Sequence, residues 1–318
     1  MQTGPRYPLI FNPRARSQRG RRALSFIMKH APRFALYATS SIEEARDLAR
    51  KFADEGERVV VAAGGDGTLN AVICGLSGST TALGVLPAGT MNVFARELGI
   101  GGGDLAGAMA VIDAGHIREV DLFLANGAPF VQMAGVGFDA QVIEETTWER
   151  KKMLGPLAYL LSAVRVLGED PPPMRVICAD GREETGVCVL IGNGSHYGGQ
   201  LKLFRKADNA DSLLDVLVFK EAGYRAVFES LRGLVRGGVD LGEGMVKYLQ
   251  ASGLRVECEC ETPLEADGEL LGRALRVEFT AAAKNLRVLA PEIPTQTRFS
   301  EALRMLTSWR RILQPNET

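Results

Sequence analysis

The sequence predicts an α/β protein with an N-terminal doubly wound parallel sheet and a C-terminal antiparallel β-sandwich. Over the first 120 residues or so, apolar strand patterns alternate with amphipathic helix patterns, which is typical of a parallel sheet. From about residue 120 onward, short β-rich segments separated by turns follow one another, which is typical of a sandwich. We therefore expect a first domain at 1–123 and a β-rich second domain at 124–289.

The elements of the first half follow from hydrophobic periodicity and from helix start signals. Ser41-Ile42-Glu43-Glu44 is a capping-box pattern and opens one of the helices. The predicted strands are at 9–11, at 34–38 and after residues 59 and 83, and the predicted helices include 19–30 and 41–54.

The second half contains seven β-rich segments and one helical insertion at about 150–167, which is followed by the stiff Pro171-Pro172-Pro173 linker. The predicted strands are at 120–124, 130–133, 174–179, 186–191, 213–219, 254–260 and 274–280.

Composition limits the classes of function. The chain has 318 residues and a net charge of −1, so it lacks the basic character of a nucleic-acid-binding domain. Its most membrane-like segment, 157–167, contains Arg165 and is too short to span a bilayer. We see no signal-peptide pattern, and the five cysteines form no C-x-x-C pair. These features favour a cytoplasmic protein.

Residues 59–70, VVVAAGGDGTLN, form the most informative segment. An apolar strand runs into Gly64, Gly65, Asp66, Gly67 and Thr68, and a helix pattern follows at once. Glycines let a phosphate approach the backbone closely, and the start of a helix supplies free N–H groups. A carboxylate would repel bare phosphate, so we expect Asp66 to meet a metal ion or a ribose hydroxyl. The alternative is an ordinary glycine-rich turn.

A second polar turn follows the next predicted strand. Residues 83–98, LGVLPAGTMNVFAREL, place Thr90 and Asn92 between this strand and a helix. Both residue types are also common in turns and caps, which is the alternative interpretation. Because the carboxyl ends of neighbouring parallel strands share one crevice, the two turns predict a single ligand site.

Four further motifs accompany the two turns. They are Asn12-Pro13, GVGFDA at 135–140, ADNADSLLD at 207–215 and Asp267-Gly268-Glu269. In this order, from about residue 8 to about residue 290, the motifs resemble the catalytic domain of the diacylglycerol kinase family. More distantly, they are similar to sphingosine, ceramide and NAD kinases.

The resemblance implies a kinase that transfers the γ-phosphoryl group of ATP to a lipid hydroxyl, with diacylglycerol as the expected acceptor and Mg²⁺ as the metal. The glycine turn, Thr68, Thr90 and Asn92 would hold the nucleotide phosphates, while Asn12 and Thr39 would line the nucleotide. The expected nucleotide-binding residues are Asn12, Thr39, Gly64, Gly65, Asp66, Gly67, Thr68, Asn70, Thr90 and Asn92.

The resemblance also implies that Asp267 or Glu269 is the general base, and the residues alone do not separate the two. A simple hairpin turn is the alternative reading of this segment. Asp139 follows a glycine-containing strand, and we expect it either to link the metal–nucleotide site to the base or to be a solvated strand end.

A structural Mg²⁺ site is implied by the ADNADSLLD segment. The resemblance assigns the side chain of Asp211 and the main-chain oxygens of Asp208 and Leu213 as ligands, and oxygen ligands suit Mg²⁺ or Ca²⁺. Ser212 stands where the family usually has glycine, which would weaken the site. The alternative is an ordinary solvated acidic turn.

Lipid access requires a surface that reaches a membrane. Residues 148–154 mix basic and apolar side chains, and apolar residues from 299 to 313 trace one helix face. That helix either lies in the membrane interface or packs on its own core. The resemblance implies that 290–318 returns to the first domain. Two other functions stay open, an NAD kinase and a catalytically silent nucleotide- or lipid-binding regulator; no oligomeric state is predicted.

Overall fold

The computed structural model describes residues 6–13, 18–137, 171–197, 201–221 and 245–292. Strands and helices alternate through the first half of the chain. These elements are β1 Tyr7–Phe11, α1 Gln18–Lys29, β2 Phe34–Ala38, α2 Ile42–Asp54, β3 Val59–Gly64, α3 Asp66–Leu76, β4 Ala82–Pro87, α4 Val93–Glu97, α5 Leu105–Ala114 and β5 Ile117–Val120.

The described part of the second half is built from strands. They are β6 Phe123–Ala125, β7 Ala128–Phe130, β8 Met133–Val136, β9 Met174–Cys178, β10 Glu183–Gly186, β11 Cys188–Gly192, β12 His196–Tyr197, β13 Leu201–Lys202, β14 Leu214–Phe219, β15 Val246–Ala251, β16 Leu254–Ala266, β17 Glu269–Ala281 and β18 Leu286–Leu289.

The first sheet has the order β2-β1-β3-β4-β18-β5. Strands β1 to β4 are parallel, as is the β4–β18 pair, whereas β5 runs antiparallel to β18. The winding reverses between β1 and β3, so the crevice at their carboxyl ends is the expected ligand position. The predicted doubly wound parallel sheet is confirmed.

The second sheet is antiparallel and folds over on itself. Strand β16 pairs with β9 through its first residues and with β8 through its last, and the β16–β17 register is irregular between Glu257 and Thr262. Residues from both ends of the sheet, including Leu249 of β15 and Phe130 of β7, share one buried core. The predicted antiparallel sandwich is therefore confirmed.

Close helix packing on the first sheet brings the glycine turn into a fixed position. Helix α2 buries Ala45, Ala49 and Phe52 on one face. A Cβ atom at Gly75 of α3 would lie 2.4 Å from the Arg46 carbonyl oxygen, so only glycine permits this approach of α2 and α3. Strand β4 is buried at all six positions, as expected for a strand covered on both faces.

The strand pattern differs from the expectation in several places. Two predicted segments belong to the long β16–β17 hairpin, and the sequence pattern did not indicate β10, β12, β13, β15 or β18. Strand β6 begins the second sheet at Phe123, and β18 returns the chain to the first sheet at Leu286, four residues before the predicted return at 290. The helical insertion at 150–167 and the tail from 293 onward lie outside the described residues. Within the described ranges, no helix is long and apolar enough to cross a membrane.

Candidate functional site

The two polar turns of the first domain touch through bare backbone. Gly65 is the N-cap of α3, so the helix begins at Asp66. A Cβ atom at Gly89 would lie 2.4 Å from the Gly65 Cα atom, and one at Gly64 would lie 2.5 Å from the Thr68 Cβ atom. Side chains at these glycines would push the turns apart. The glycines therefore bring two sets of backbone groups to one edge of the sheet.

Asp66 joins the two turns. One carboxylate oxygen accepts a hydrogen bond of 2.7 Å from the Val93 backbone N–H, and the other accepts one of 3.0 Å from Asn92. Burial raises the pKa of Asp66, and these N–H groups and the charge of Arg96 oppose the rise. Within the chain, the partners of Asp66 are the backbone N–H groups at the start of α4, and the expected metal or ribose partner stays a prediction.

Two of the predicted nucleotide-binding side chains form hydrogen bonds with backbone groups of the protein itself. Asn92 is buried, and its amide bonds to both the N–H and the carbonyl of Gly89. Thr39 is also buried, and its hydroxyl donates to the Phe11 carbonyl across the β1–β2 junction. These two side chains shape the crevice.

The remaining predicted residues line its edge. Gly67, Thr68 and Asn12 are half-buried, and Thr90 is exposed. The Thr90 carbonyl accepts a 2.6 Å hydrogen bond from Arg19 of α1, which ties the second turn to the first helix. Thr68 and Thr90 thus lie on the segments that follow the carboxyl ends of β3 and β4.

Asp267 holds the β16–β17 turn against the segment that precedes β8. Its carboxylate accepts backbone N–H bonds of 2.9 Å from Val131, 2.9 Å from Gln132 and 3.0 Å from Met133. Burial raises the pKa of Asp267 to about 6, in spite of these three donors. Its φ of 48° is in the left-handed region, where aspartate is tolerated better than most residues. The side chain is therefore a structural anchor.

Glu269 lies against the helix that starts at the glycine turn. Asn70 of α3 hydrogen-bonds to the Glu269 carboxylate, which opposes the rise in the Glu269 pKa that burial causes. The Cys74 thiol donates to Asn70 Oδ1 over 3.8 Å, so the Asn70 amide N–H is the group that faces Glu269. Among the described residues, Glu269 Oε1 is buried and has no hydrogen-bond partner. Asn70 thus contacts this carboxylate, and its expected role in nucleotide binding stays a prediction.

The acidic loop, residues Asp208 to Leu213, collects carboxylates. Asp211 Oδ1 accepts the Leu213 N–H and Asp208 Oδ1 accepts the Ala210 N–H, each within the loop. Buried Asp121 accepts the Ser212 N–H at 2.6 Å. Burial raises the pKa of Asp211, and the charges of Asp208 and Asp121 raise it further. The loop therefore has an excess of negative charge.

This charge and the oxygen ligands fit a hard cation. In the part of the chain that the structure describes, no three His, Cys, Asp or Glu side chains converge as a metal site. A cation here would therefore depend on Asp211 together with main-chain oxygens, which is the ligand set that the resemblance implies for Asp208 and Leu213. Ser212 adopts φ of 62°, a conformation that glycine accommodates without strain.

Some predicted site residues lie outside the described ranges, and some buried polar residues were not predicted. Asp139, residues 148–154 and the C-terminal helix pattern lie outside the described residues. Sequence reasoning missed Asp121, and it missed a buried contact between Glu97 and His196. Glu97 and His196 are 99 residues apart, and neither belongs to a motif that would have indicated the pairing.

Comparison with known proteins agrees with the two-part architecture. The profile of the diacylglycerol kinase catalytic domain matches residues 6–125, and that of the YegS C-terminal NAD kinase beta sandwich-like domain matches residues 132–290. A diacylglycerol kinase of Bacillus subtilis (strain 168) is 30% identical over 260 residues, covering 80% of this chain and 85% of the relative. One of Staphylococcus aureus (strain MRSA252) is 30% identical over 291 residues, covering 89% and 91%.

Solved structures share the fold. A crystal structure of a diacylglycerol kinase from Bacillus anthracis str. Sterne matches with a TM-score of 0.70 and 23% identity, covering 92% of this chain and 98% of the other. An NAD kinase from Archaeoglobus fulgidus in complex with ATP matches with a TM-score of 0.51 and 9% identity, covering 90% and 94%. With the sequence matches over most of its length, the chain belongs to the diacylglycerol kinase family.

Proposed function

We propose that the protein transfers the γ-phosphoryl group of ATP to the hydroxyl of a lipid, with diacylglycerol as the acceptor. The observation that carries this proposal is the buried, unpartnered Oε1 of Glu269, held beside α3 at the glycine turn. A carboxylate oxygen with no internal donor can accept a proton from a bound hydroxyl. Family membership supplies the class of reaction, and the geometry supports the roles proposed below.

In this reaction the lipid hydroxyl oxygen bonds to the γ-phosphorus, and the bond from that phosphorus to the β,γ-bridging oxygen breaks. ADP leaves with the bond's electron pair, and Glu269 takes the hydroxyl proton. Lipid hydroxyls have high pKa values, so proton transfer must accompany charge development at phosphorus. The raised pKa of Glu269 makes it a better proton acceptor than an ordinary surface glutamate.

Glu269 suits the role of base better than Asp267 does. Both oxygens of Asp267 already accept backbone N–H groups, so a proton on this side chain would break bonds that hold the turn. Glu269 has one oxygen oriented by Asn70 and one without a partner among the described residues. The structure thus supports a division of labour in which Asp267 anchors the turn and Glu269 performs the chemistry.

The two glycine-containing turns would bind the phosphates of ATP. The start of α3 offers free N–H groups, and the positive end of the helix dipole favours anions. Asp66 holds the second turn beside the first and acts in this proposal as a scaffold for that cradle. Mg²⁺ bound with ATP would neutralise charge on the phosphates, and the acidic loop would hold a structural cation through Asp211 and main-chain oxygens.

An apolar surface beside Glu269 supports a lipid acceptor. Leu270 and Leu271, which directly follow Glu269 on β17, are 41% and 40% exposed, and Leu275 is 55% exposed. A group of exposed apolar side chains can mark the site where an apolar ligand or a membrane binds. We propose that these leucines contact the hydrocarbon part of the acceptor while the protein lies on a membrane surface.

The deciding experiment measures transfer from γ-labelled ATP with purified protein, Mg²⁺ and mixed micelles that contain diacylglycerol, ceramide or sphingosine, alongside NAD in solution. We expect label in the organic extract with diacylglycerol, and about 10²- to 10⁴-fold slower labelling with Glu269→Gln. Label that stays in the aqueous phase as phosphorylated NAD would replace this function with that of an NAD kinase. Specific ATP binding without transfer to any acceptor would make the protein a regulator.

The leucine surface has its own test. Leu270→Ser with Leu271→Ser should raise the KM for micellar diacylglycerol several-fold and leave the KM for ATP unchanged. Met28→Ser is the matched control, because Met28 is 58% exposed on α1 of the first domain, away from the β16–β17 hairpin. Equal lipid kinetics in the double variant and the wild type would contradict the role of these leucines.

A further inference from the structure

A buried polar cluster joins the two domains beside the site. We call it the interdomain cluster, and it consists of Glu97, Gln132, Ser195 and His196. Glu97 is the last residue of α4 in the first domain, and the other three belong to the second half of the chain. The side chains of Glu97 and His196 are only 10% and 18% exposed. A carboxylate at this depth requires compensation for its lost hydration.

The Glu97 carboxylate accepts hydrogen bonds from residues of the other domain. Its Oε2 accepts hydrogen bonds from His196 Nδ1 at 2.5 Å, from the His196 backbone N–H at 3.1 Å and from Gln132 Nε2 at 3.1 Å. Its Oε1 accepts the Ser195 hydroxyl at 3.1 Å. Burial would raise the pKa of Glu97, but His196, Ser195 and Gln132 outweigh it and lower the pKa to about 2.

Gln132 connects this cluster to the turn that carries the base. Its side chain donates to Glu97 and to the His196 carbonyl, while its backbone N–H donates to Asp267 Oδ1 at 2.9 Å. A Cβ atom at Gly194 would lie 2.3 Å from Gln132 Nε2, so glycine at that position makes room for the side chain. Gln132 thus bonds to both domains at once.

The other end of α4 is tied to the glycine turn. Asp66 accepts the N–H groups of Asn92 and Val93 at the start of this helix, and Glu97 follows after a single turn. A continuous set of hydrogen bonds therefore runs from Asp66 through α4 to Glu97, Gln132 and Asp267. Asp267 is two residues before Glu269. Helix α4 has only five residues, so a displacement of Glu97 at its end is transmitted over a short distance to the N–H groups at its start.

We propose that Glu97 is a positioning residue, which sets the placement of Glu269 relative to the phosphate-binding turns through Gln132 and Asp267. This inference rests on the proposed function for its effect on the rate. Glu97 touches neither reactant in this proposal. Misplacement of reacting groups by about 1 Å lowers rates by up to 10²-fold, so a contact outside the crevice can control catalysis.

The charged surroundings agree with a fixed, ionised Glu97. Arg118 of β5 lies close enough for the Glu97 charge to raise the Arg118 pKa, although burial lowers that pKa overall. Asp208 of the acidic loop acts on Arg118 in the same way. Arg118 therefore adds a positive charge near Glu97, beside the donors of His196, Ser195 and Gln132.

The test compares Glu97→Gln, Gln132→Ala and the double variant with Glu119→Gln, a control that changes an exposed glutamate on neighbouring β5. Glu97→Gln keeps the size of the side chain. Its amide N–H₂ group would face groups that donate hydrogen bonds to the carboxylate in the wild type. We expect kcat for lipid phosphorylation to fall about 10- to 100-fold with an unchanged KM for ATP. The double variant should lose no more than the worse single variant, because both changes break one connection.

Hydrogen–deuterium exchange provides a readout that does not depend on activity. The backbone amides of Val131, Gln132 and Met133 donate to Asp267, and they should exchange faster in Glu97→Gln than in the wild type or in Glu119→Gln. Unchanged exchange and unchanged kcat in Glu97→Gln would overturn the inference. A wild-type protein that phosphorylates no lipid would overturn the proposed function, and faster exchange in that case would still support the coupling of the two domains.

Discussion

The β16–β17 turn and the acidic loop both place carboxylates on tight backbone, yet the two regions satisfy them in opposite ways. In the turn, Asp267 receives three backbone N–H groups from the neighbouring segment. In the loop, Asp208 and Asp121 raise the pKa of Asp211, beyond the effect of burial. Each region also holds one non-glycine residue at positive φ, Asp267 at 48° and Ser212 at 62°.

This contrast separates Asp267, whose hydrogen bonds are satisfied within the polypeptide, from Asp211, which lies close to two further carboxylates. The donors around Asp267 occupy both of its oxygens, whereas Glu269 Oε1 is buried and has no hydrogen-bond partner among the described residues. The loop has more negative charge than its own N–H groups can balance, so a bound cation would stabilise it. We therefore expect changes in the turn to affect catalysis and folding, and changes in the loop to act through metal binding.

The largest expected effect is that of Glu269→Gln. This change keeps the size of the side chain and removes its capacity to accept a proton, so kcat should fall about 10²- to 10⁴-fold. The KM for ATP and the unfolding midpoint should stay close to the wild-type values. Steady-state kinetics with Glu261→Gln, an exposed position on the same hairpin, provide the control. Near wild-type turnover would mean that the base lies elsewhere.

Asp267→Asn should combine lower activity with lower stability. An asparagine presents one oxygen and one N–H₂ group to three backbone donors, so at least one donor loses its acceptor. Hydrogen bonds to charged groups contribute about 1.5–3 kcal/mol each, and we expect a loss of about 3 kcal/mol in the free energy of unfolding. Urea denaturation measures it, with the exposed Asp47→Asn as the control. A fully stable Asp267→Asn protein would contradict the anchoring role.

Removal of Mg²⁺ should destabilise the acidic loop and leave the β16–β17 turn unaffected. Metal at 100 times its Kd stabilises a folded protein by about 2.7 kcal/mol. We expect a chelator to lower the Tm of the wild type and to have little effect on Asp211→Asn, while Asp54→Asn on the surface of α2 behaves as the wild type. An equal response of the Asp211→Asn protein to the chelator would remove this loop as the metal site.

Ser212→Gly should have the smallest effect and the opposite sign. A serine at φ of 62° is strained relative to glycine, so the variant should gain about 1 kcal/mol in the free energy of unfolding and retain Mg²⁺ at least as well. Ser252→Gly is the matched control, since Ser252 is exposed and outside the positive-φ region, and it should lose a similar amount. A clear loss of Mg²⁺ from the Ser212→Gly protein would contradict the assignment of this loop.

The sequence was sufficient for the fold class and for the two glycine turns, because those features have local causes. Apolar runs, glycines and caps act over a few residues, and Ser41 indeed accepts the Glu44 N–H at the start of α2. Strand β18 was not predicted, since Leu-Arg-Val-Leu is too short to show a period and its partners are β4 and β5, far earlier in the chain.

The roles of the site residues depend on contacts between distant segments. Asp267 and Glu269 are equivalent by spacing, and only their partners separate them: residues 131–133 for Asp267 and Asn70 for Glu269. The position of Asp66 in the glycine turn suggests a ligand-binding residue, yet the N–H groups that donate to its carboxylate belong to the start of α4. Local patterns contain no information on which of these donors reaches which carboxylate.

The position of β18 has a consequence for synthesis on the ribosome. This strand lies between β4 and β5, and it is the only described link through which β5 joins the first sheet. The nascent chain must therefore emerge to at least residue 289 before that sheet closes, by which time the strands of the second sheet have already left the exit tunnel. Until then β4 exposes an unpaired edge, which is the kind of surface that chaperones protect. The second domain is therefore synthesised before the sheet of the first domain can be completed.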